Sequence, residues 1–275
     1  MAIEKMLFQL SKALPLAARS RLSGLRRSLR RWPQPSQIAI TETDKFRAGT
    51  PTLPGFLENL RNSGFSPSAI VDIGANAGEW SRTAAAIFPS VPILMFDGDP
   101  DNEPNLYNTV REIGARCKYF LCLLGPDKKD AVTFYKLESG TTGSSVLPEL
   151  TSFRKDAITL SMDTLDNLTA EASLQSPLLM KLDVQGFELE VLKGGGRALA
   201  LSEVVILEVA LLPYNDGGPL FADVVAFMNK EGFLVFDFCG QFRRESDFAL
   251  FQTDVAFVRR ESSLRAPRRF WLSEP

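Results

Sequence analysis

The segment Val71-Asp72-Ile73-Gly74-Ala75-Asn76-Ala77-Gly78 constrains the fold of this chain more than any other. Ala69 to Ile73 is a short, apolar, partly β-branched run, the glycines follow at once, and Glu79 to Phe88 has helical character, so the order is strand, tight turn, helix. Gly74 and Gly78 remove side chains where backbone must approach a ligand, and glycine accepts positive φ. Asp72 stands near the carboxyl end of the strand, the edge at which open α/β sheets bind ligands.

Charge separates the two cofactor classes that use such a turn. A dinucleotide places its pyrophosphate on the helix N-terminus, usually through G-x-G-x-x-G. Here the spacing is G-x-x-x-G and Glu79 opens the helix, where a carboxylate suits the helix dipole but repels a pyrophosphate. S-adenosylmethionine has no phosphate, and Asp72 matches its methionyl ammonium. The motif therefore favours S-adenosylmethionine over NAD, with a plain strand-to-helix turn, its glycines there for packing alone, as the remaining alternative. Val91 to Phe96 reads as a second strand ending in Asp97-Gly98-Asp99-Pro100, about the distance beyond the glycines at which an acid meets ribose hydroxyls. Asp97 is the expected ribose ligand and Asp99 the fallback, while Pro100 and Asp101 mark the turn into the next helix. Asp72, Gly74, Asn76, Gly78 and Asp97 form the expected cofactor-binding set.

A chain of 275 residues with 45% hydrophobic composition can bury one sizeable core, so residues 51–275 are expected to form one domain behind an extension of residues 1–50. Histidine is absent, which excludes a histidine general base, a Ser-His-Asp triad and His-ligated zinc. The three cysteines suit neither a disulfide framework nor a zinc cluster: Cys117 and Cys122 lie an odd number apart on one expected strand and so face opposite sides. A reducing cytoplasm is the default expectation. Charge is uneven: before Trp32 stand Lys5, Lys12, Arg19, Arg21, Arg26, Arg27, Arg30 and Arg31 against Glu4 alone, so that segment carries +7 and the rest −9 of the net −2. Its leucines recur near helical spacing, interrupted by Pro15 and Gly24. A solvated extension and docking to an anionic membrane or a partner are the competing readings. Lys12 breaks the apolar stretch a signal peptide needs, no run approaches the roughly 18 apolar residues of a transmembrane helix, and no base-reading motif points to nucleic acid.

Pro33 to Pro54, rich in proline, threonine and serine, reads as linker. Further on come a helix at Asn102 to Ile113, strands at Lys118 to Leu124, Ala131 to Leu137 and Ala157 to Met162, and a short helix capped by Asp163. Between them Ser139 to Ser145 is a polar, glycine-rich loop, either ligand-touching or a plain turn. Leu178 to Leu182 is a continuous apolar strand with Asp183 at its carboxyl end, followed by a helix closing at Gly194-Gly195-Gly196. Val204 to Val209 forms the next strand, with Glu208 near its end; Pro219 to Glu231 reads as helix, and Phe233 to Phe238 with Asp254 to Val258 as an antiparallel pair.

With these residues in hand, the chain resembles the FkbM family of S-adenosylmethionine-dependent methyltransferases. The resemblance rests on Val71 to Gly78, the acid after strand two, Asp163-Thr164-Leu165-Asp166, Leu179 to Gly194 and Val205-Ile206-Leu207-Glu208-Val209, spanning about residues 69 to 258. Its most specific piece is K-x-D-x-Q-G-x-E-x-x-x-L-K-G, from Lys181 to Gly194. The family often has Phe-Glu-Pro-x-Pro where this chain has Phe96-Asp97-Gly98-Asp99-Pro100, so ribose binding falls to the shorter Asp97. The resemblance implies a Rossmann-like α/β fold, a seven-stranded, mostly parallel sheet with an antiparallel terminal strand, and O-methylation of a glycan or natural-product hydroxyl.

Methyl transfer from a sulfonium is an in-line displacement, so most catalysis can come from alignment, and a base must take the hydroxyl proton as the bond forms. Asp183 is the first candidate base and Glu208, from the neighbouring strand, the second. Two acids separated in sequence are not a metal-ligand signature, so no metal is expected. Lys181 stabilises a developing oxyanion or pairs with Asp183 or Glu188, and Glu188 supports the turn or the helix dipole. Leu211 to Pro219 overhangs the mouth as the candidate acceptor-selecting loop, with Tyr214 stacking on an acceptor or anchoring the loop. Trp80 is expected to pack in the core. A dinucleotide oxidoreductase, a scaffold of this fold without activity, and a nitrogen acceptor are the rival readings.

Overall fold

This computed structural model describes residues 52–137, 143–150 and 155–266. The basic segment, most of the expected linker, the boundary near residue 50 and residues 139–142 of the glycine-rich loop lie outside them.

The runs Ala69–Ile73 (β1), Ile93–Asp97 (β2) and Leu178–Leu182 (β7) are buried at every position. Strands covered on both faces need apolar residues on both, which is why these segments read as unbroken apolar runs. With Cys117–Leu121 (β3), Ser202–Ala210 (β8), Phe233–Arg243 (β9) and Leu250–Arg259 (β10), they form a seven-stranded sheet ordered β3-β2-β1-β7-β8-β10-β9. β3, β2, β1, β7 and β8 pair in parallel, and β10 runs antiparallel between β8 and β9 because a short hairpin turns the chain back from β9. The antiparallel terminal strand is thus the last in sequence. From β1 the chain winds outward through β2 and β3, then returns to wind the other way through β7 and β8. The reversal leaves a crevice at the carboxyl ends of β1 and β7, where such sheets bind ligands.

Two apolar clusters hold the layers. Phe56, Leu57 and Leu60 of Leu53–Asn62 (α1), Ala84 of Glu79–Ile87 (α2) and Leu106 of Glu103–Ile113 (α3) cover one face through Ile70, Ile93 and Leu179. On the other, Leu165 of Leu165–Leu168 (α4), Val191 of Glu188–Lys193 (α5), Leu199 of Gly196–Leu201 (α6) and Met228 of Phe221–Lys230 (α7) pack on Val71, Met180 and Leu207. Each fully buried aliphatic side chain of this kind contributes about 1.5–3 kcal/mol.

Several boundaries differ from expectation for local reasons. The supposed linker ends in a helix: Thr52 caps α1 by accepting from Gly55 N at 3.2 Å, and Pro54 occupies the first turn, where a missing N–H costs nothing. The expected strand from Lys118 to Leu124 breaks at Cys122, whose N–H bonds Asp97 O at 2.8 Å. Leu123–Leu124 (β4) then joins Lys129–Leu137 (β5) and Lys155–Asp163 (β6) in a second, three-stranded sheet. Cys117 and Cys122 therefore do not share a strand, and among the described residues all three cysteines are free. Thr164, not Asp163, caps α4, accepting from Asn167 N at 3.1 Å; Asp163 braces it by accepting from Thr164 N and Asn167 Nδ2.

Candidate functional site

A cleft of about 940 Å³, open mouth included, lies at the carboxyl ends of the central strands. Gly74, Asn76 and Asp97 form one wall, Asp183, Gln185 and Glu208 another, and Leu123, Leu124 and Phe134 of the small sheet close it over.

The first wall is built from backbone. Gly74 has φ 75°, and a Cβ there would lie 1.9 Å from Asp183 O, so the turn after β1 rests directly on the end of β7. Asn76 also has positive φ, 46°, and its N–H donates to Asp97 Oδ2 at 2.7 Å. Asp97 Oδ1 accepts from Asp99 N at 2.9 Å and Asn102 Nδ2 at 3.0 Å. A carboxylate has about four lone-pair positions, so one is left for a ligand hydroxyl. Burial raises the pKa of Asp97, against the pull of those donors.

Two of the five expected cofactor residues stand behind this wall rather than on it. Asp72 is fully buried; Ser81 of α2 donates to its Oδ2 at 2.6 Å, while Oδ1 has no hydrogen-bond partner among the described residues. Burial lifts its pKa to about 6, with Lys181 pulling the other way. Gly78 packs α2 against α3, since a Cβ there would meet Thr109 Oγ1 at 2.4 Å. Asp99, the fallback ligand, does line the cleft, but its carboxylate caps the turn at Asp101 N and pairs with Lys136.

The second wall concentrates charge. Lys181, 5% exposed, directs Nζ to Asp183 Oδ2 at 3.0 Å, while the Asp183 side chain remains 30% exposed to the cleft. Burial works against the charge on Asp183, but Lys181, Gln185 and Glu208 outweigh it and hold the carboxyl below its usual range. Burial likewise works against Lys181, and Asp183 and Asp72 more than restore its charge. Glu208 is lifted well above its ordinary value by burial and by the facing Asp183, Glu188 and Asp254. Glu188 is buried and accepts from Val184 N at 2.9 Å and Gly186 N at 3.2 Å, bracing the loop; burial raises it to about 7.

Sequence reasoning missed Gln185, Asn102 and Ser145 as individual site residues. Gln185 and Ser145 were visible only as members of a motif and a loop, and Asn102 as a helix start. The structure instead gives Gln185 positive φ, 56°, and hydrogen bonds to Asp183 and Glu208. Tyr214 anchors its loop: it is buried, donates to Gln185 Oε1 and tilts against Phe251 at 5.2 Å. Trp80 packs against the α1–α3 cluster. Among the described residues, no group of three or more acids, cysteines or histidines is arranged to hold a metal, and no helix is long and apolar enough to cross a membrane.

Strand order and cleft together define a doubly wound α/β protein with a cleft at the switch point, the edge at which such sheets bind ligands. The chain belongs to the methyltransferase FkbM domain family, whose profile matches residues 72–235, and is a methyltransferase. Among solved structures it is similar to a putative RNA methyltransferase from Pyrococcus horikoshii (13% identity, 75% of this chain and 82% of that one, TM-score 0.42). It is also similar to a precorrin-6y C5,15-methyltransferase from Geobacter metallireducens (12%, 77% and 92%, TM-score 0.41). A third is TrmK of M. capricolum in complex with S-adenosylhomocysteine (8%, 75% and 67%, TM-score 0.43). Likeness at this level carries no argument about the acceptor. No curated protein matches the chain at a significant level.

Proposed function

We propose that this methyltransferase moves a methyl group from S-adenosylmethionine to a hydroxyl of a small-molecule or glycan acceptor. The β1–β2 wall fits that cofactor: Gly74 leaves backbone bare, Asp97 has a lone-pair position open for a ribose hydroxyl, and Asp72 holds an unpaired buried oxygen beneath the turn. When bound, the cofactor supplies a methyl group made electrophilic by the sulfonium. The protein's residues then have two tasks: to hold the acceptor in line and to receive its proton.

Asp183 is the base in this reading. Its carboxylate faces the cleft, and Lys181 keeps it ionised near neutral pH. Lys181 is thereby committed as a counter-charge rather than free to meet an oxyanion. Glu208, whose burial and acidic neighbours favour the protonated form, serves as a hydrogen-bond donor beside the base rather than as a second base. A cleft-facing carboxylate paired with Lys181 and joined through Gln185 to a second acid, adjoining the Gly74 turn, is the observation that supports a hydroxyl acceptor, because an amine already deprotonated needs no such base.

Calorimetric titration with S-adenosylhomocysteine tests the cofactor, with NAD as the control ligand. Wild type should bind it and Asp97→Ala should not; NAD binding in its place would overturn the reading. A panel of hydroxyl and amine acceptors with labelled cofactor, run on wild type and Asp183→Asn, tests the acceptor class. Turnover of amines alone would refute O-methylation.

A further inference from the structure

Gln185 joins both acids to the loops beside them. Its Nε2 donates to Asp183 Oδ1 at 2.9 Å and to Glu208 Oε2 at 2.6 Å. Its Oε1 accepts from the Tyr214 hydroxyl. Its backbone carbonyl accepts from Ser145 Oγ at 2.9 Å and from Asn215 Nδ2. The amide orientation follows from chemistry, since the two carboxyl groups need the NH2 and the phenol needs the oxygen. The backbone is in the left-handed region, φ 56°, where a long side chain is strained and persists only when its surroundings over-determine it. Here the surroundings are five hydrogen bonds to four segments: the end of β7, β8, the segment Gly143–Leu150 and the loop after β8.

These contacts also fix how the two carboxyl groups are turned. Glu208 Oε2 accepts from Gln185 Nε2 and from Gln252 Nε2 at 3.0 Å, so Oε2 is fully engaged and Oε1 is the oxygen left open. Asp183 Oδ1 and Oδ2 are held by Gln185 and Lys181, which fixes the face it turns to the cleft. The other charged or titratable groups around the pair are Asp72 on β1, Glu188 on α5, Tyr214 on the loop after β8 and Asp254 on β10. None of these makes a hydrogen bond to both acids.

We propose that Gln185 is a positioning residue for methyl transfer, fixing Asp183 against Glu208 and tying their arrangement to the segment Gly143–Leu150, which lines the cleft, and to the loop after β8 behind it. The inference rests on the assignment of Asp183 as base. Its consequence is that an acceptor seated against Ser145 and Val146 also sets the acid pair, because Gln185 holds that segment and both acids. Displacing either segment from the Gln185 carbonyl loosens the pair without touching a carboxyl group.

The test is carboxyl titration by 13C NMR on the full chain labelled at Asp and Glu carboxyls, with Asp183→Asn and Glu208→Gln assigning the two signals. In Gln185→Ala the Asp183 midpoint should rise by about one pH unit, the size expected for losing a hydrogen bond to a charged group. Asn215→Ala, which cuts a link to the Gln185 carbonyl and leaves the Gln185 side chain on both acids, should move it in the same direction by less. Gln185→Asn tolerates the left-handed backbone but is too short to span both acids, so it should shift the midpoint while unfolding near the wild-type temperature. Unchanged midpoints in Gln185→Asn and Asn215→Ala would overturn the proposal, whatever their effect on stability. The titration needs no cofactor, so a failure of wild type to bind S-adenosylhomocysteine would sink the methyl-transfer reading separately.

Discussion

Replacing Gly74 by alanine tests whether the contact between the two walls builds the site. The added Cβ would lie 1.9 Å from Asp183 O and 2.8 Å from its carbonyl carbon, both backbone atoms, at φ 75°. No rotamer change relieves an overlap with backbone. Either the turn after β1 or the end of β7 must move by about 1 Å, and the left-handed conformation adds about 1–2 kcal/mol for an L-residue. With overpacking at about 1–3 kcal/mol, the total is near 3 kcal/mol, which for a domain of this size lowers Tm by about 6–12 °C. The same shift separates the cofactor wall from Asp183, so S-adenosylhomocysteine affinity should fall by more than about tenfold. Gly78→Ala is the matched control: its Cβ meets the Thr109 side chain 2.4 Å away, between α2 and α3 and outside the cleft. It should unfold earlier, yet bind within about threefold of wild type while folded. Thermal unfolding and calorimetry decide. A Gly74→Ala protein with wild-type Tm and affinity, or a Gly78→Ala protein that loses binding as steeply, would refute the reasoning.

Asp97→Asn sets an amide against three donors, Asn76 N, Asp99 N and Asn102 Nδ2, and should weaken S-adenosylhomocysteine binding about 10–100-fold by calorimetry. Lys181→Met strips Asp183 of its counter-charge and should cost about 3–5 kcal/mol in urea unfolding at pH 8, less at pH 5 where Asp183 can take up a proton; an equal loss at both would count against the pairing. Glu188 carries a pKa of about 7 against an ordinary 4.5, so the folded protein binds more protons than the unfolded chain between those values. Its contribution to stability therefore falls as pH rises through that window and is constant above it. Glu188→Gln keeps an oxygen for Val184 N and Gly186 N, and its Tm advantage over wild type should grow from pH 5 to pH 8; an advantage that does not change with pH would show the carboxyl is not titrating there.

Much of this architecture could be read residue by residue. β7 spans Leu178–Leu182 as expected, because a strand buried on both faces must be apolar throughout. Asp97, Asp183 and Glu208 reach the cleft because acids at strand ends of an open α/β sheet project to one edge. The second sheet was less legible: Leu123–Leu124 has only two residues, and no short apolar run states which sheet it will pair with. The helix at Leu53–Asn62 was hidden by Pro54, which reads as a breaker unless its place in the first turn is known.

By itself, then, the sequence determined the strand-turn-helix order, the absence of histidine chemistry and the identity of the acids at the sheet edge, because periodicity, glycine and residue type are local properties. Only the tertiary structure decided that Asp72 and Gly78 stand behind the cleft, that Lys181 holds Asp183 below its usual range while burial lifts Glu208 above its own, and that Gln185 joins them. Those outcomes depend on burial and on hydrogen-bond partners up to tens of residues distant in the chain. Such partners acquire their energies only once the strands are packed side by side.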